Sequence, residues 1–432
     1  MSIIKARRFP FGSPVHGTKL SRFAEINNVP APEKVYISLS QHIGAPALPA
    51  VSPGDKVKKG QLIGRAAGAV SANVYSSVCG TVSEVTELVN GLGQKQTYVI
   101  IENDGGTDEI RFEKISDLSP QSVIERIALA GIVGLGGAGF PTAVKLSPKT
   151  QLEVLVINGA ECEPYLTCDD RLMLEKTEEI YQGIKIMAGA IGVTRIVMGI
   201  ELNKPLAIEA FSKYEDIGVA PLKKQYPMGS EKHLIYSTTG KKVPPGKMPF
   251  DVGACVQNVK TALAVYEAAA LNKPLTETVL TVSGRGVKTP KNLRVPLGTP
   301  YSYLIDYCGG TVGNTAKLIC GGPMMGKALI SGEHYTRKTD SGILVLTDGE
   351  TDDKAPSNCI NCARCADKCP MRLMPMKIER CALENDFAGA EKLGAMNCIE
   401  CALCAYNCPA KRALVQSIVT AKQKIREMKK NG

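Results

Sequence analysis

The hydrophobic and polar positions of this chain change rhythm several times, and each change marks a block. Between residues 34 and about 105 the rhythm is short. Val35-Tyr-Ile-Ser-Leu39 alternates, and turn signals recur at Pro53-Gly54-Asp55, Lys59-Gly60, Cys79-Gly80 and Asn90-Gly91. A period of two broken by Gly, Pro and Asn predicts an all-β unit. From Ser119 the period lengthens. Ser119 suits an N-cap, Pro120 the first helical position and Gly131 a C-cap, which predicts a helix over 120–130. Apolar runs at 152–157 and 195–199 then alternate with helical patterns near 172–189 and 204–213, and a further helix is predicted at 258–271. That alternation predicts a sheet covered by helices. Strand patterns return over 275–325 around one helix, opened by Thr299-Pro300 and ended by Gly309-Gly310. A polar stretch follows Asp348, and residues 375–393 have helical periodicity. The expected architecture is multidomain, α/β and α+β. It has a β sandwich at 1–115, an α/β domain at 116–270, a second β-rich unit at 271–330, a linker at 331–354 and a helical module with a basic tail at 355–432.

The cysteines give that last module its chemistry. Eight of the fifteen fall into two copies of one pattern: Cys359, Cys362, Cys365, Cys369 before Pro370, and Cys398, Cys401, Cys404, Cys408 before Pro409. Each reads C-x-x-C-x-x-C-x-x-x-C-P, the run that ligates a [4Fe–4S] cluster, and in two-cluster ferredoxins the fourth cysteine ligates the other cluster. The expected quartets are therefore Cys359, Cys362, Cys365 with Cys408, and Cys398, Cys401, Cys404 with Cys369. Paired zinc sites also use C-x-x-C, but a third spaced cysteine and the C-P ending have no use in a zinc ribbon. Cys381 fits neither pattern and is expected to be a small buried apolar residue.

Composition narrows the partners. The 432 residues are 44% hydrophobic and 22% charged, ordinary for a globular protein. There is no tryptophan, which argues against a stacking surface for nucleic acid. The start, MSIIKARRFPFGSP, has no apolar core segment, so a signal peptide is not expected. The run from Ile184 to Ile200 is interrupted by Lys185 and Arg195 and is not expected to span a membrane. Cysteines in cluster motifs then imply a reducing cytoplasm. The net charge is +10, of which 411–432 contributes seven Lys or Arg against one Glu. Such a tail is either a solvated helix end or a basic face for anionic lipid or an acidic partner.

Two further motifs carry polar chemistry. Gly134-Leu-Gly136-Gly137-Ala-Gly139-Phe140-Pro141-Thr142 reads G-x-G-x-x-G, but a predicted helix precedes it, whereas the dinucleotide fingerprint follows a strand. Bare glycines still let backbone N–H groups converge on an anion, and Lys145 one turn later can neutralise a phosphate. Asn158-Gly-Ala-Glu161-Cys-Glu163-Pro164-Tyr165 follows a predicted strand, where α/β proteins bind ligands. Cys162 and Cys168 lack ligand spacing there. His16, His42, His233 and His334 are scattered without metal spacing, and His233 lies near Glu231.

Together these motifs resemble a family. The 134–145 loop, the 158–164 turn, Tyr226-Pro-Met-Gly229-Ser-Glu231 and Val256-Gln-Asn258-Val259 are similar to the NADH-binding flavoprotein subunit of respiratory complex I. Pro53-Gly-Asp-Lys-Val-Lys-Lys-Gly-Gln-Leu-Ile-Gly64 and Val74-Tyr-Ser-Ser-Val-Cys-Gly-Thr-Val82 resemble a biotinyl/lipoyl half-barrel, but 65–80 holds no lysine to modify. The full layout resembles the RnfC component of the Rnf electron-transport complexes. The resemblance implies an N-terminal half-barrel, a complex I-type flavin domain, a β-grasp domain and a helical ferredoxin module. It implies FMN contacts from Gly134, Gly136, Gly137, Gly139, Lys145, Asn158 and Asn258. It implies NAD(H) contacts from Phe140, Glu163 and Glu231, with Tyr226 and Glu161 as weaker candidates. It implies two [4Fe–4S] clusters, no catalytic residue beyond the cofactors, and other subunits of a membrane complex as partners, with ferredoxin reached through them. The chain would sit peripherally on the cytoplasmic face of the inner membrane. Ala160 replaces the aspartate of the complex I flavoprotein, whose loop arginine and single cluster motif are also missing; these departures favour the Rnf type. A cobalamin reductase of bacterial microcompartments shares the domain order, and a flavin-free iron–sulfur adaptor is the reading from another class.

Overall fold

A computed structural model describes residues 2–16, 18–352 and 354–431. The chain opens with a long arm, residues 2–16 and 18–25, and a short strand β1 (Ile26–Asn28). The half-barrel follows in two sheets. β2 (Lys34–Ser38), β4 (Lys56–Val57), β7 (Gly80–Val89) and β8 (Lys95–Asn103) form one, in the order β2-β8-β7-β4. β3 (Leu48–Pro49), β5 (Leu62–Arg65) and β6 (Val74–Tyr75) form the other. The alternating residues Val35, Ile37, Leu39, Val99 and Ile101 are all completely buried between them. Residues 2–28, expected in this unit, lie elsewhere. Ile4 N–H donates to Val219 and Val29 N–H to Arg294, both in later domains.

The α/β domain begins with α1 (Pro120–Leu129), capped by Ser119, whose hydroxyl accepts from the Ser122 N–H. After the glycine loop comes a single turn, α2 (Thr142–Lys145). Then β9 (Val154–Gly159), α3 (Cys168–Glu175), α4 (Thr177–Ala190), β10 (Ile196–Glu201), α5 (Pro205–Phe211), β11 (Ile217–Leu222), α6 (Glu231–Thr239), β12 (Ala254–Asn258) and α7 (Val259–Ala270) complete it. The helix expected near 172–189 is thus two helices that break at Lys176. The four strands are parallel, in the order β11-β10-β9-β12. The chain walks outward from β9 and returns on its other side, so the order reverses between β9 and β12. Ligands bind at the carboxyl ends of strands at such a switch point.

The next unit holds β13 (Glu277–Ser283), β14 (Lys291–Pro296), α8 (Tyr301–Tyr307), β15 (Thr315–Cys320), β16 (Lys327–Ala328) and β17 (Gly342–Thr347). With β1 they make one mixed sheet, β1-β14-β13-β17-β15-β16. The expected linker over 331–354 is therefore corrected: β17 is an interior strand between β13 and β15, a six-residue run that its neighbours in the sheet define. The segment before it is buried too, with His334, Thr336, Lys338 and Asp340 all enclosed. Lys338 joins three units, donating to the carbonyls of Asn73 (2.6 Å) and Gly131 (2.8 Å), while its N–H donates to Gln41.

The last module contains α9 (Arg364–Asp367), α10 (Pro375–Leu383), α11 (Phe387–Lys392), α12 (Leu403–Tyr406) and α13 (Leu414–Asn431). The basic tail is no loose end: Ile418, Ala421 and Ile425 of α13 pack on Ile378 and Ala390, with half-buried Cys381 beside them. Among the described residues, no helix is long and apolar enough to cross a membrane.

Candidate functional site

The two cysteine runs fold as copies of one loop. Asn361, Ala363 and Arg372 of the first have φ of 55°, 58° and 57°; Glu400, Ala402 and Lys411 of the second have 58°, 60° and 53°. Left-handed turns at non-glycine residues cost free energy and persist where the surroundings fix them. Here they curl each run around a hollow. One hollow is lined by Cys359, Cys362, Cys365 and, from the other run, Cys408. The second is lined by Cys398, Cys401, Cys404 and the crossing Cys369. The crossed quartets expected from spacing are thus each gathered in space. Burial pushes the Cys401 thiol up to about 12, and Cys365, Cys369, Cys398 and Cys404 are raised in the same way. Four crowded thiols resist ionising unless a cation takes the place of their protons, which iron does. The donor set therefore fits an iron–sulfur cube.

The quartets differ in setting. Cys359 and Cys362 are exposed, whereas Cys401 and Cys404 are buried. Cys401 packs with Tyr226 and Met324 of the preceding domains, and Cys404 shares an apolar cluster with Cys365. The order from the flavin-type domain outward is second quartet, then first.

The glycine loop follows α1, as expected, and not a strand. Its neck is closed by Gly134 N–H to Phe140 carbonyl (2.8 Å) and Gly139 N–H to Gly134 carbonyl (3.0 Å). At its exposed tip the N–H groups of Gly136, Gly137 and Ala138 have no hydrogen-bond partner among the described residues. Gly137 has φ of 99°, which favours glycine. A Cβ on Gly136 would come within 3.0 Å of Asn258. The loop thus lies on the switch point, where Asn158 and Asn258 end paired strands side by side. Asn158 donates to the Gly229 carbonyl (3.0 Å), and Asn258 to Asp169 (2.8 Å). Lys145 and Glu231 meet in an ion pair of 2.6 Å. A cradle of free N–H groups with a lysine beside it fits a phosphate-bearing cofactor.

Three expected nucleotide contacts are placed differently. The Glu161 carboxylate turns inward and accepts from the N–H groups of Asp169 (2.7 Å) and Asp170 (3.3 Å), so it caps α3. Glu163 accepts from Met324 (3.1 Å) and Met325 (2.8 Å), and burial pushes its carboxyl up to about 7. Tyr226 is 3% exposed and packs toward Cys401. Phe140 stays half-exposed at the loop's neck. His233 is buried against Phe9, ring centroids 4.1 Å apart, and its imidazole is depressed to about 4 by burial. Cys168 comes within 4.8 Å of Glu161 and Asp169. Cys320, His334 and Asp340 form a similar group, in which the Arg337 guanidinium already supplies the cation at 3.0 Å from Asp340.

Sequence reasoning missed the lysines that hold the 160–166 turn. Lys19 donates to the carbonyls of Glu161 (3.1 Å), Glu163 (3.0 Å) and Leu166, and Lys204 to that of Ala160 (2.6 Å). It also missed Asp169 beneath Asn258; two acidic residues opening a helix were the available signal.

Family models match every unit: an RnfC barrel sandwich hybrid domain over 8–106, a Nuo51 FMN-binding domain over 127–267, an SLBB domain over 279–328 and a 4Fe-4S dicluster domain over 351–426. The RnfC-type component of the ion-translocating oxidoreductase complex of Rhodobacter capsulatus is 45% identical over 94% of this chain and 81% of its own length. The chain belongs to this RnfC family. Other members are the corresponding component of the Na(+)-translocating ferredoxin:NAD(+) oxidoreductase complex of Acetobacterium woodii, 42% identical over 93% of each chain, and a proton-translocating counterpart of Clostridium ljungdahlii, 43% identical over 84% of this chain and 81% of its own. Like other RnfC-type proteins, this one is an electron-transferring oxidoreductase subunit with FMN-binding and iron–sulfur domains. A crystal structure of an NAD+-reducing [NiFe]-hydrogenase shares the fold, with a TM-score of 0.52 and 18% identity, covering 71% of this chain and 63% of that one.

Proposed function

We propose that this chain is the NAD(H)-facing subunit of a ferredoxin:NAD+ oxidoreductase complex that couples electron flow to ion translocation, attached peripherally at the cytoplasmic face of the membrane. The observation that carries this reading is the union, in one chain, of a glycine cradle at a switch point with two thiol quartets set one behind the other. When bound, FMN exchanges a hydride with NADH and the [4Fe–4S] clusters carry single electrons. The chain's own residues supply position and field. Gly134, Gly136, Gly137 and Gly139 let the backbone approach the flavin phosphate, and Lys145 neutralises it once Glu231 releases it. Asn158 and Asn258 present amides at the strand ends. Phe140 and Glu231 border the nucleotide side, and Glu163 stands behind them. Cys359, Cys362, Cys365 and Cys408 hold the outer cluster; Cys369, Cys398, Cys401 and Cys404 hold the inner one. Partner subunits, and ferredoxin through them, meet the outer end; the relatives' names support the existence of such partners, and the exposure of Cys359 and Cys362 supports the place.

Anaerobically purified protein should show flavin and iron–sulfur absorption, both bleached by NADH. Cys408→Ala should remove the outer cluster and Cys369→Ala the inner one, each leaving half the iron and full flavin reduction. A protein without flavin, or one whose clusters NADH cannot bleach, would refute the reading.

A further inference from the structure

The N-terminal arm runs through the junction between the flavin-type domain and the inner quartet. Ser13 and Tyr226 exchange two backbone hydrogen bonds of 3.0 Å, a one-pair β-bridge. Gly12 makes this possible: its φ is 91°, and a Cβ there would lie 2.4 Å from the Tyr226 carbonyl oxygen. Gln225 donates to the Phe11 carbonyl. On one side, the Phe9 ring packs against His233, tilted by 57°. On the other, Arg372, three residues after the ligand Cys369, lies over the Phe11 ring at 5.2 Å. Val15 is buried in the same apolar cluster as Tyr226, Met324, Cys401 and Leu403. The arm therefore touches the flavin-type domain through Phe9 and Ser13 and the cluster module through Phe11 and Val15.

We infer that residues 9–15 are a clasp that fixes the inner quartet against the flavin-type domain, and that Phe11 and Val15 are positioning residues for electron transfer between them. The inference rests on the functional reading above and adds a role for a segment that holds no cofactor. NADH yields two electrons as a hydride, and each cluster takes one, so a loosened junction slows the single-electron step and leaves hydride transfer alone. Small misplacements at a reacting junction have large rate effects.

The test uses the anaerobic holoprotein and a Phe11→Ala/Val15→Ala variant. Hydrogen exchange at residues 369–373 and 399–403 should quicken, while iron content and the rate of flavin bleaching by NADH stay at wild-type values. Cluster bleaching should become several-fold slower. Phe11→Tyr, which keeps a ring beneath Arg372, should behave as wild type. Should the double variant lose iron, Phe11→Ala alone decides by the same readouts. Unchanged exchange would overturn the clasp, and so would faster exchange with cluster bleaching at the wild-type rate. If wild-type flavin is not reduced by NADH, the functional reading fails, while exchange still judges the clasp by itself.

Discussion

At the scale of single residues, Glu163 shows how burial sets a measurable property. Its carboxyl is pushed up to about 7 from an ordinary value of 4.5, chiefly by desolvation, against two backbone N–H donors that favour the charged form. A folded-state value above the unfolded one means that the native protein holds the proton longer. Between about pH 4.5 and 7 stability therefore falls as pH rises, by up to roughly 3 kcal/mol from this group. Glu163→Gln keeps an acceptor for Met324 and Met325 and removes the titration. Its thermal midpoint relative to wild type should climb from pH 5 to pH 8; a flat difference would show that Glu163 does not titrate there. Gly136 offers a second test. Its Cβ would press on Asn258 at 3.0 Å, so Gly136→Ala should weaken FMN binding about tenfold, ~1.4 kcal/mol, read by flavin fluorescence.

At the scale of elements, the sequence was legible where local rules decide. Ser119-Pro120 opened a helix as capping chemistry requires, because that cap is satisfied within one turn. The gathering of the cysteines into crossed quartets was legible from the repeated ligand run, whose three close cysteines are local and whose fourth is known to cross to the other run. Long-range placement was not. Nothing near Lys19 signals that it would grip carbonyls more than 140 residues away. Gly342–Thr347 looked like the continuation of a linker because an interior strand of six residues has no periodicity of its own; its neighbours β13 and β15 define it. Glu161 and Glu163 were assigned to the nucleotide by resemblance, from a motif that follows a strand. The backbone N–H groups that take them up, of α3 and of Met324 and Met325, come from elsewhere in the fold.

At the scale of the whole molecule, Lys338 ties the half-barrel, the flavin-type domain and the β-grasp unit at one buried ammonium. Desolvation by burial lowers it to about 7 from 10.5. Here the unfolded chain holds the proton longer, so stability rises with pH between about 7 and 10.5. Lys338→Met should orphan two buried carbonyls, cost about 2–3 kcal/mol and separate the half-barrel's melting from that of its neighbours, as calorimetry would show. The unequal setting of the two quartets has a consequence for damage. Cys359 and Cys362 face solvent, while Cys401 and Cys404 lie inside. An iron chelator or a trace of oxygen meets the outward cube first, so decay should pass through a half-depleted species whose remaining iron is the better sheltered, and a chain in that condition would still take reducing equivalents from NADH with no outlet for them.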